Sequence, residues 1–197
     1  RGAYFIEPVI EVETPRGRIA YVNVSPDDTP KLLLGGMLDG RAVRPFYRGP
    51  VEGVPFFRRQ TRITFRRCGV VDPSSLDDCV AAGAYKALRK ALFDLTPQQV
   101  IDEVKASGLR GRGGAAFPTG VKWQTAGDFP ADERFIVANG DEGDPGTYAD
   151  RMLMEGDPHA LIEGMAIAAR AVDASHGYIY IRAEYPAAIR RVREALE

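Results

Sequence analysis

The sequence predicts an α/β fold, and three observations carry that prediction. From Arg134 onward the order is strand, helix, strand, helix, the pattern of a parallel sheet with helical crossovers. Before the helical region, residues 4–24 alternate as two short strands. The composition is globular, with 197 residues, 45% of them hydrophobic, and a formal net charge of -1. That is enough chain for one good-sized domain, or a domain plus a fragment.

In chain order, Val9, Ile10 and Val12, then Ile19, Tyr21, Val22 and Val24, flank a Pro15-Arg16-Gly17 turn and suggest a hairpin. Ser25-Pro26-Asp27-Asp28 is a helix start, with proline fixing the first turn and acids facing the dipole. That helix is expected to run through Leu32–Leu38 and stop at Asp39-Gly40. Residues 40–56 carry three glycines and three prolines in alternation from Gly40 to Pro55 and read as a linker. The basic stretch from Arg58 to Arg67 alternates as a strand with one charged face, for solvent, an interface or phosphate. Helices follow at about 75–93 and 97–106, the second opened by the capping box Thr96-Pro97-Gln98-Gln99.

Residues 108–123, from Gly108 to Trp123, hold five glycines together with Arg110, Arg112 and Lys122. Glycines permit positive φ and close approach of a ligand, so successive amides can converge on an anion, and cations neutralise it. Phe117 and Trp123 offer flat apolar surface suited to a base or ring system. Walker A is broken at Gly120-Val121-Lys122, and the dinucleotide fingerprint is met only loosely, after a helix rather than a strand. A tight connection between helices is the bland alternative.

A buried strand, Arg134–Ala138, delivers the acidic stretch 139–151, and polar groups at a strand's end in an α/β unit sit where ligands bind. Asn139, Asp141, Glu142 and Asp144 could bond sugar hydroxyls and ring N–H donors. Alternatively the three carboxylates could hold Ca²⁺ or Mg²⁺, although the calcium-loop pattern is absent, or simply be solvated. Asp157-Pro158 opens an apolar helix with His159 in its first turn, expected as a cap or surface residue. Residues 177–182 are a strand, and Pro186 starts a last helix.

Cys68 and Cys79, eleven apart, and two histidines do not make a zinc or iron–sulfur site, so the cysteines are expected as reduced core residues. Low cysteine use fits a reducing, cytoplasmic setting. Near-neutral charge gives no electrostatic argument for nucleic acid. No stretch approaches the roughly 18 apolar residues of a membrane span, so no direct membrane insertion is expected. The start at Arg1 without a Met, and the uncapped end at Glu197, lead us to expect a piece of something longer.

Taken jointly, Ser107-Gly108-Leu109-Arg110-Gly111-Arg112-Gly113-Gly114-Ala115, Phe117-Pro118-Thr119-Gly120, Lys122-Trp123, the stretch Asn139–Gly146, Pro158-His159, Ile162-Glu163-Gly164 and residues 178–185 resemble one family. It is the FMN- and NADH-binding 51 kDa flavoprotein subunit of complex I, with its relatives in NAD-reducing and electron-bifurcating hydrogenases and NAD-dependent formate dehydrogenases. The resemblance covers roughly 58–197. Gly140, Gly143 and Asp144 look like the hydrogenase and formate dehydrogenase form; Ala116 stands where the family usually has glycine.

The resemblance implies a partial Rossmann-like FMN-binding domain over 58–197. It also implies the C-terminal end of a thioredoxin-like [2Fe–2S] ferredoxin domain over 1–45, with 46–57 as linker. By position, Gly111, Arg112, Gly113, Gly114 and Lys122 would line flavin and dinucleotide phosphates, and Phe117 would stack near the adenine. Asn139, Asp141, Glu142 and Gly143 would hold the flavin, and Asp144 would lie near the nicotinamide. The implied cofactors are FMN and NAD(H), with Fe–S clusters, including a [4Fe–4S] cluster, outside these residues or in partner subunits. The implied reaction is hydride transfer between nicotinamide and flavin, followed by one-electron steps. A non-catalytic nucleotide-binding scaffold is the first rival, and a metal-dependent enzyme using Asp141, Glu142 and Asp144 is the second.

Overall fold

The computed structural model describes residues 2–144 and 146–197, and the chain divides into two compact units, 1–63 and 64–197. In the first, β1 (Ile10–Thr14) and β2 (Gly17–Tyr21) form the expected hairpin, paired Ile10 with Tyr21 through Thr14 with Gly17. Gly17 takes φ +96 at its turn, and Thr14 Oγ1 donates to the Gly17 carbonyl at 2.7 Å. A third antiparallel strand, β3 (Tyr47–Pro50), lies on the other side of β2.

The expected linker 46–57 is therefore corrected. It forms β3, a 3-10 turn at Val51–Gly53 and α2 (Pro55–Arg58). The reason is burial. Phe46 joins Ile19, Tyr21, Val24, Leu32, Met37 and Val43 on one side of β2, while Val51, Val54 and Phe57 join Ala3 and Ala20 on the other. The central strand alternates into two small cores, and glycine and proline serve as turn residues between their anchors. Ser25 opens the next segment by donating its N–H and Oγ–H to the Asp28 carboxylate. The helix expected through 38 is α1 (Thr29–Leu34), broken at Gly36 with φ +83 and resumed as a 3-10 turn, Met37–Asp39.

In the second unit the basic stretch is not a strand: no strand or helix covers 60–71. Its last arginine, Arg67, turns inward instead. The helix expected at 75–93 is two, α3 (Leu76–Ala81) and α4 (Lys86–Phe93), separated where Gly83 takes φ +91 and Tyr85 φ +61. α5 (Pro97–Ser107) carries the expected cap, with Thr96 Oγ1 accepting the Gln99 N–H, and ends on Gly108 in the left-handed region. Two further helices, α6 (Thr119–Asp128) and α7 (Ala149–Gly156), precede and follow β4 (Phe135–Gly140). α8 (Pro158–Val172) then crosses over to β5 (His176–Ile181), and α9 (Pro186–Leu196) ends the chain.

β4 and β5 pair in parallel, Phe135 with His176 through Gly140 with Ile181, as the element order predicts. One face of this pair is half-buried through Ile136, Ile179 and Ile181 in the cores built with α8 and α9. The other presents Phe135, Val137, Tyr178 and Tyr180, all exposed. Among the described residues no helix is long and apolar enough to cross a membrane.

Candidate functional site

The glycine-rich segment is a closed loop on the end of α6. Gly111 N–H donates to the Phe117 carbonyl and Thr119 N–H to that of Leu109, both at 2.9 Å, which pinches the neck. Arg110 Nη1 donates to the Ala116 carbonyl at 3.1 Å across the tip. Gly113 and Gly114 lie on that tip with open space where a Cβ would stand, and Gly114 has φ +107. The backbone is thus uncovered at the tip. Arg112 and Phe117 are exposed on the loop, and Lys122 is exposed in the first turn of α6, at its positive end.

α6 is seated by Gly120, where a Cβ would stand 2.7 Å from the Lys105 backbone N, so only glycine lets the two helices come this close. Trp123 departs from expectation. It packs half-buried against Ala91, Val100, Ile101, Ala171 and Val172, because α6 turns that face to the core. Only Phe117, of the two aromatics, is displayed.

The acidic segment leaves the C-terminal end of β4. Asn139 Oδ1 accepts the Asp141 N–H at 3.0 Å. Glu142 takes φ +45, and its carboxylate accepts the N–H groups of Asp150 and Arg151 at 2.9 and 3.1 Å, in the first turn of α7. Gly143 lies beside the Asp141 carboxylate, and Asp144 is exposed. Pro145, within the quoted motif, lies outside the described residues. The structure thus gathers Asn139, Asp141, Glu142 and Gly143 in one turn, and Gly111 and Phe117 in another.

The two turns belong to elements that meet at one junction. Arg134 donates to the carbonyls of Ala126, Gly127 and Phe129, tying the C-terminal end of α6 to the start of β4. The glycine-rich loop leaves the far end of α6 and the acidic loop the far end of β4. Two residues that the sequence offered only as part of the family pattern, without a role in the site, also reach the acidic turn. Arg182 Nη1 donates to the Glu142 carbonyl at 2.9 Å, and Tyr185 lies under the guanidinium. The parallel pairing of β4 with β5 was the available signal, since it sets the residue after Ile181 next to the one after Gly140.

Behind the acidic turn, α8 opens on a buried polar cluster. Asp157 accepts the Ala160 N–H and receives Arg67 Nε and Nη2 at 2.8 and 3.0 Å. Burial is the largest influence and opposes the Arg67 charge, but the hydrogen bonds and negative charge of Asp157, with Glu163 adding to them, together outweigh it and raise the guanidinium pKa. His159 is not a surface or cap residue: it is 4% exposed, and its Nδ1 bonds the Tyr85 hydroxyl at 2.8 Å. Burial lowers its pKa, with Arg67 adding to the effect and Asp157 opposing it. Glu163 accepts the amides of Ala87 and Leu88 at the start of α4. Cys68 and Cys79 are buried free thiols, and burial raises the Cys79 pKa.

A cavity of about 620 Å³ lies between β5, α8 and α9, lined by Ile162, Met165, Ile179, Ile189, Val192 and Leu196 among others. Its lining is mostly apolar, with Ser175, His176 and Arg193 as the polar members, and none of the residues of the two loops borders it. Among the described residues, no group of three or more His, Cys, Asp or Glu is arranged to hold a metal ion.

Residues 104–197 match the model of the Nuo51 FMN-binding domain. The chain is 51% identical over 140 residues to the NADP-reducing hydrogenase subunit HndC of Solidesulfovibrio fructosivorans, covering 71% of this chain and 28% of that protein. It is 44% identical over 138 residues to an NADH-quinone oxidoreductase subunit of Escherichia coli K12, covering 68% and 30%. Among solved structures, an air-oxidised NAD+-reducing [NiFe]-hydrogenase chain superposes with TM-score 0.54 and 29% identity, over 90% of this chain and 30% of that one. The chain therefore spans about 30% of the length of these relatives.

Proposed function

We propose, with residues 104–197 belonging to the Nuo51 FMN-binding domain family, that this chain is the part of an NAD(P)H:acceptor oxidoreductase that brings a nicotinamide dinucleotide to FMN. The observation that carries the reading is the glycine-rich loop. It falls inside the matched region, and its Gly113–Gly114 backbone is bare to an approaching ligand. The donors present fit a nucleotide: accessible amides, the exposed cations Arg112 and Lys122, and the positive end of a ten-residue helix. When bound, FMN and NAD(H) supply the hydride-transfer chemistry, with onward electron transfer to Fe–S clusters outside these residues.

The chain's own residues bind and orient. Gly111 keeps the neck of the loop closed, and Gly113 and Gly114 admit the phosphates. Arg112 and Lys122 offset phosphate charge, and Phe117 offers its exposed ring to the adenine. Asn139, Asp141, Glu142 and Gly143 hold the flavin, Glu142 through the turn it shapes, and Asp144 faces the nicotinamide. The junction at Arg134 ties together α6 and β4, the elements whose far ends carry the two loops that this reading brings to one ligand.

The same reading takes residues 1–45 as the tail of a thioredoxin-like [2Fe–2S] domain. It takes Fe–S subunits of a hydrogenase, formate dehydrogenase or NADH dehydrogenase complex as partners, and the cytoplasm as the setting.

In the intact protein, Lys122→Ala should weaken FMN or NADH binding about tenfold, the order of one charge-assisted hydrogen bond. Fluorescence titration of both ligands checks it, and unchanged affinities would count against the assignment. Intact protein that is colourless and lacks diaphorase activity would favour a non-catalytic scaffold. Activity abolished by chelator and indifferent to flavin would favour a metal enzyme.

A further inference from the structure

We propose that Arg182 is a positioning residue for the nucleotide site, acting through Glu142 to fix the course of the acidic loop. The inference rests on the flavin and dinucleotide reading above and adds a residue to it. Arg182 is the first residue after β5, and the Gly140–Ile181 pairing sets it beside the start of the loop. Its Nη1 donates to the Glu142 carbonyl at 2.9 Å. Its Nε and Nη2 donate to the two carboxylate oxygens of Glu184 at 3.2 and 3.0 Å. The guanidinium carbon lies 5.4 Å over the centre of the Tyr185 ring. Every nitrogen of the fork is engaged and its face is packed, so the group arrives at Glu142 with little freedom left to lose.

The residue it holds needs holding. Glu142 sits at φ +45, a conformation that side-chain-bearing residues rarely adopt unless their surroundings impose it. Its carboxylate is tied to the amides of Asp150 and Arg151. One anchor grips the main chain from β5 and the other grips the side chain from α7. Between them they set the direction in which Asp141, Gly143 and Asp144 leave the strand. Glu142 is thereby committed to shaping the turn.

The test compares wild type, Arg182→Lys and Arg182→Ala in the intact protein. FMN is titrated by fluorescence quenching, and hydrogen exchange is followed over 139–151 without flavin. We expect Arg182→Ala to raise the FMN Kd about tenfold, the order of one charged hydrogen bond. Faster exchange should be confined to the acidic loop. Free guanidinium should recover part of the affinity, and Arg182→Lys should fall between the other two, because an ammonium lacks the fork.

Wild-type affinity and exchange in Arg182→Ala would overturn the proposal. So would lost affinity that guanidinium does not recover, with faster exchange throughout 64–197, the mark of general destabilisation. A wild type that binds no FMN would overturn the functional reading and this inference with it. A wild type that binds while Arg182→Ala binds equally well would overturn this inference alone.

Discussion

At the scale of single residues, two positions in the second unit hold conformations or protonation states that their chemistry resists. Ala116 sits on the glycine-rich loop at φ +50, where its methyl costs on the order of 1 kcal/mol that glycine would not incur. Ala116→Gly should therefore raise stability slightly, by up to about 1 kcal/mol, despite the extra freedom glycine gives the unfolded chain. Thermal melts check this, and a lower Tm would show that the methyl makes a contact worth more than its strain. His159 is the second case. Burial depresses its folded pKa below the ordinary 6.5, so the unfolded chain takes up the proton first as pH falls. Stability from this residue is complete above about pH 6.5 and declines below it until the folded pKa is passed. Between pH 7 and 5.5 the wild type should lose more stability than His159→Gln, and parallel losses would refute the assignment. His159 was misjudged from sequence because its place in a first turn suggested exposure, whereas its partner Tyr85 lies 74 residues away.

At the scale of elements, α8 organises the second unit as much by its polar residues as by its apolar ones. Glu163, in its middle, accepts the amides of Ala87 and Leu88, which are start-of-helix donors on α4 with no partner inside their own helix. Glu163→Ala should cost about 2 kcal/mol, the range for a hydrogen bond to a charged group. Glu163→Gln should cost less, since an amide oxygen still accepts. Denaturant unfolding measures both, and equal losses would mean that side-chain volume rather than hydrogen bonding is at stake. Such cross-helix capping is invisible in sequence, where Glu163 passes for a polar residue in an apolar helix. What was legible had local causes: the Pro15–Gly17 hairpin, the Thr96 cap, and the apolar runs of β4, β5 and α8. α6 escaped because its segment carries glycines and little apolar periodicity, and it owes its seat to Gly120 against Lys105; α7 escaped because its first turn lies within the acidic stretch read as a loop through Arg151. β3 escaped because the apolar residues around it are spaced between prolines. The site followed the same division. Its two loops announced themselves by composition, while Arg182 is brought to Glu142 only by strand register.

At the scale of the whole chain, the boundary between the units and the tip of the glycine-rich loop both carry exposed arginines on backbone outside helix and strand. Arg59 follows α2 just before the boundary at 63, and Arg112 rides the loop tip. On the other side of the boundary Arg66 is exposed as well, whereas its neighbour Arg67 is buried against Asp157 and should resist cleavage. Limited trypsin treatment of the intact protein should thus cut early in the boundary segment, after Arg59 or Arg66, and in the loop after Arg112, because proteolysis follows local opening and exposure. The two cuts should respond differently to nucleotide. FMN together with NADH would cover the amides flanking Arg112 and engage its guanidinium, so that cut should slow roughly as the bound fraction rises. The cut in the boundary segment should keep its rate. Slowing of both would indicate that the ligands stabilise the chain in general. Slowing of neither would separate the loop from nucleotide binding, even in a protein that carries flavin, and would move the phosphate contacts to residues outside 108–123.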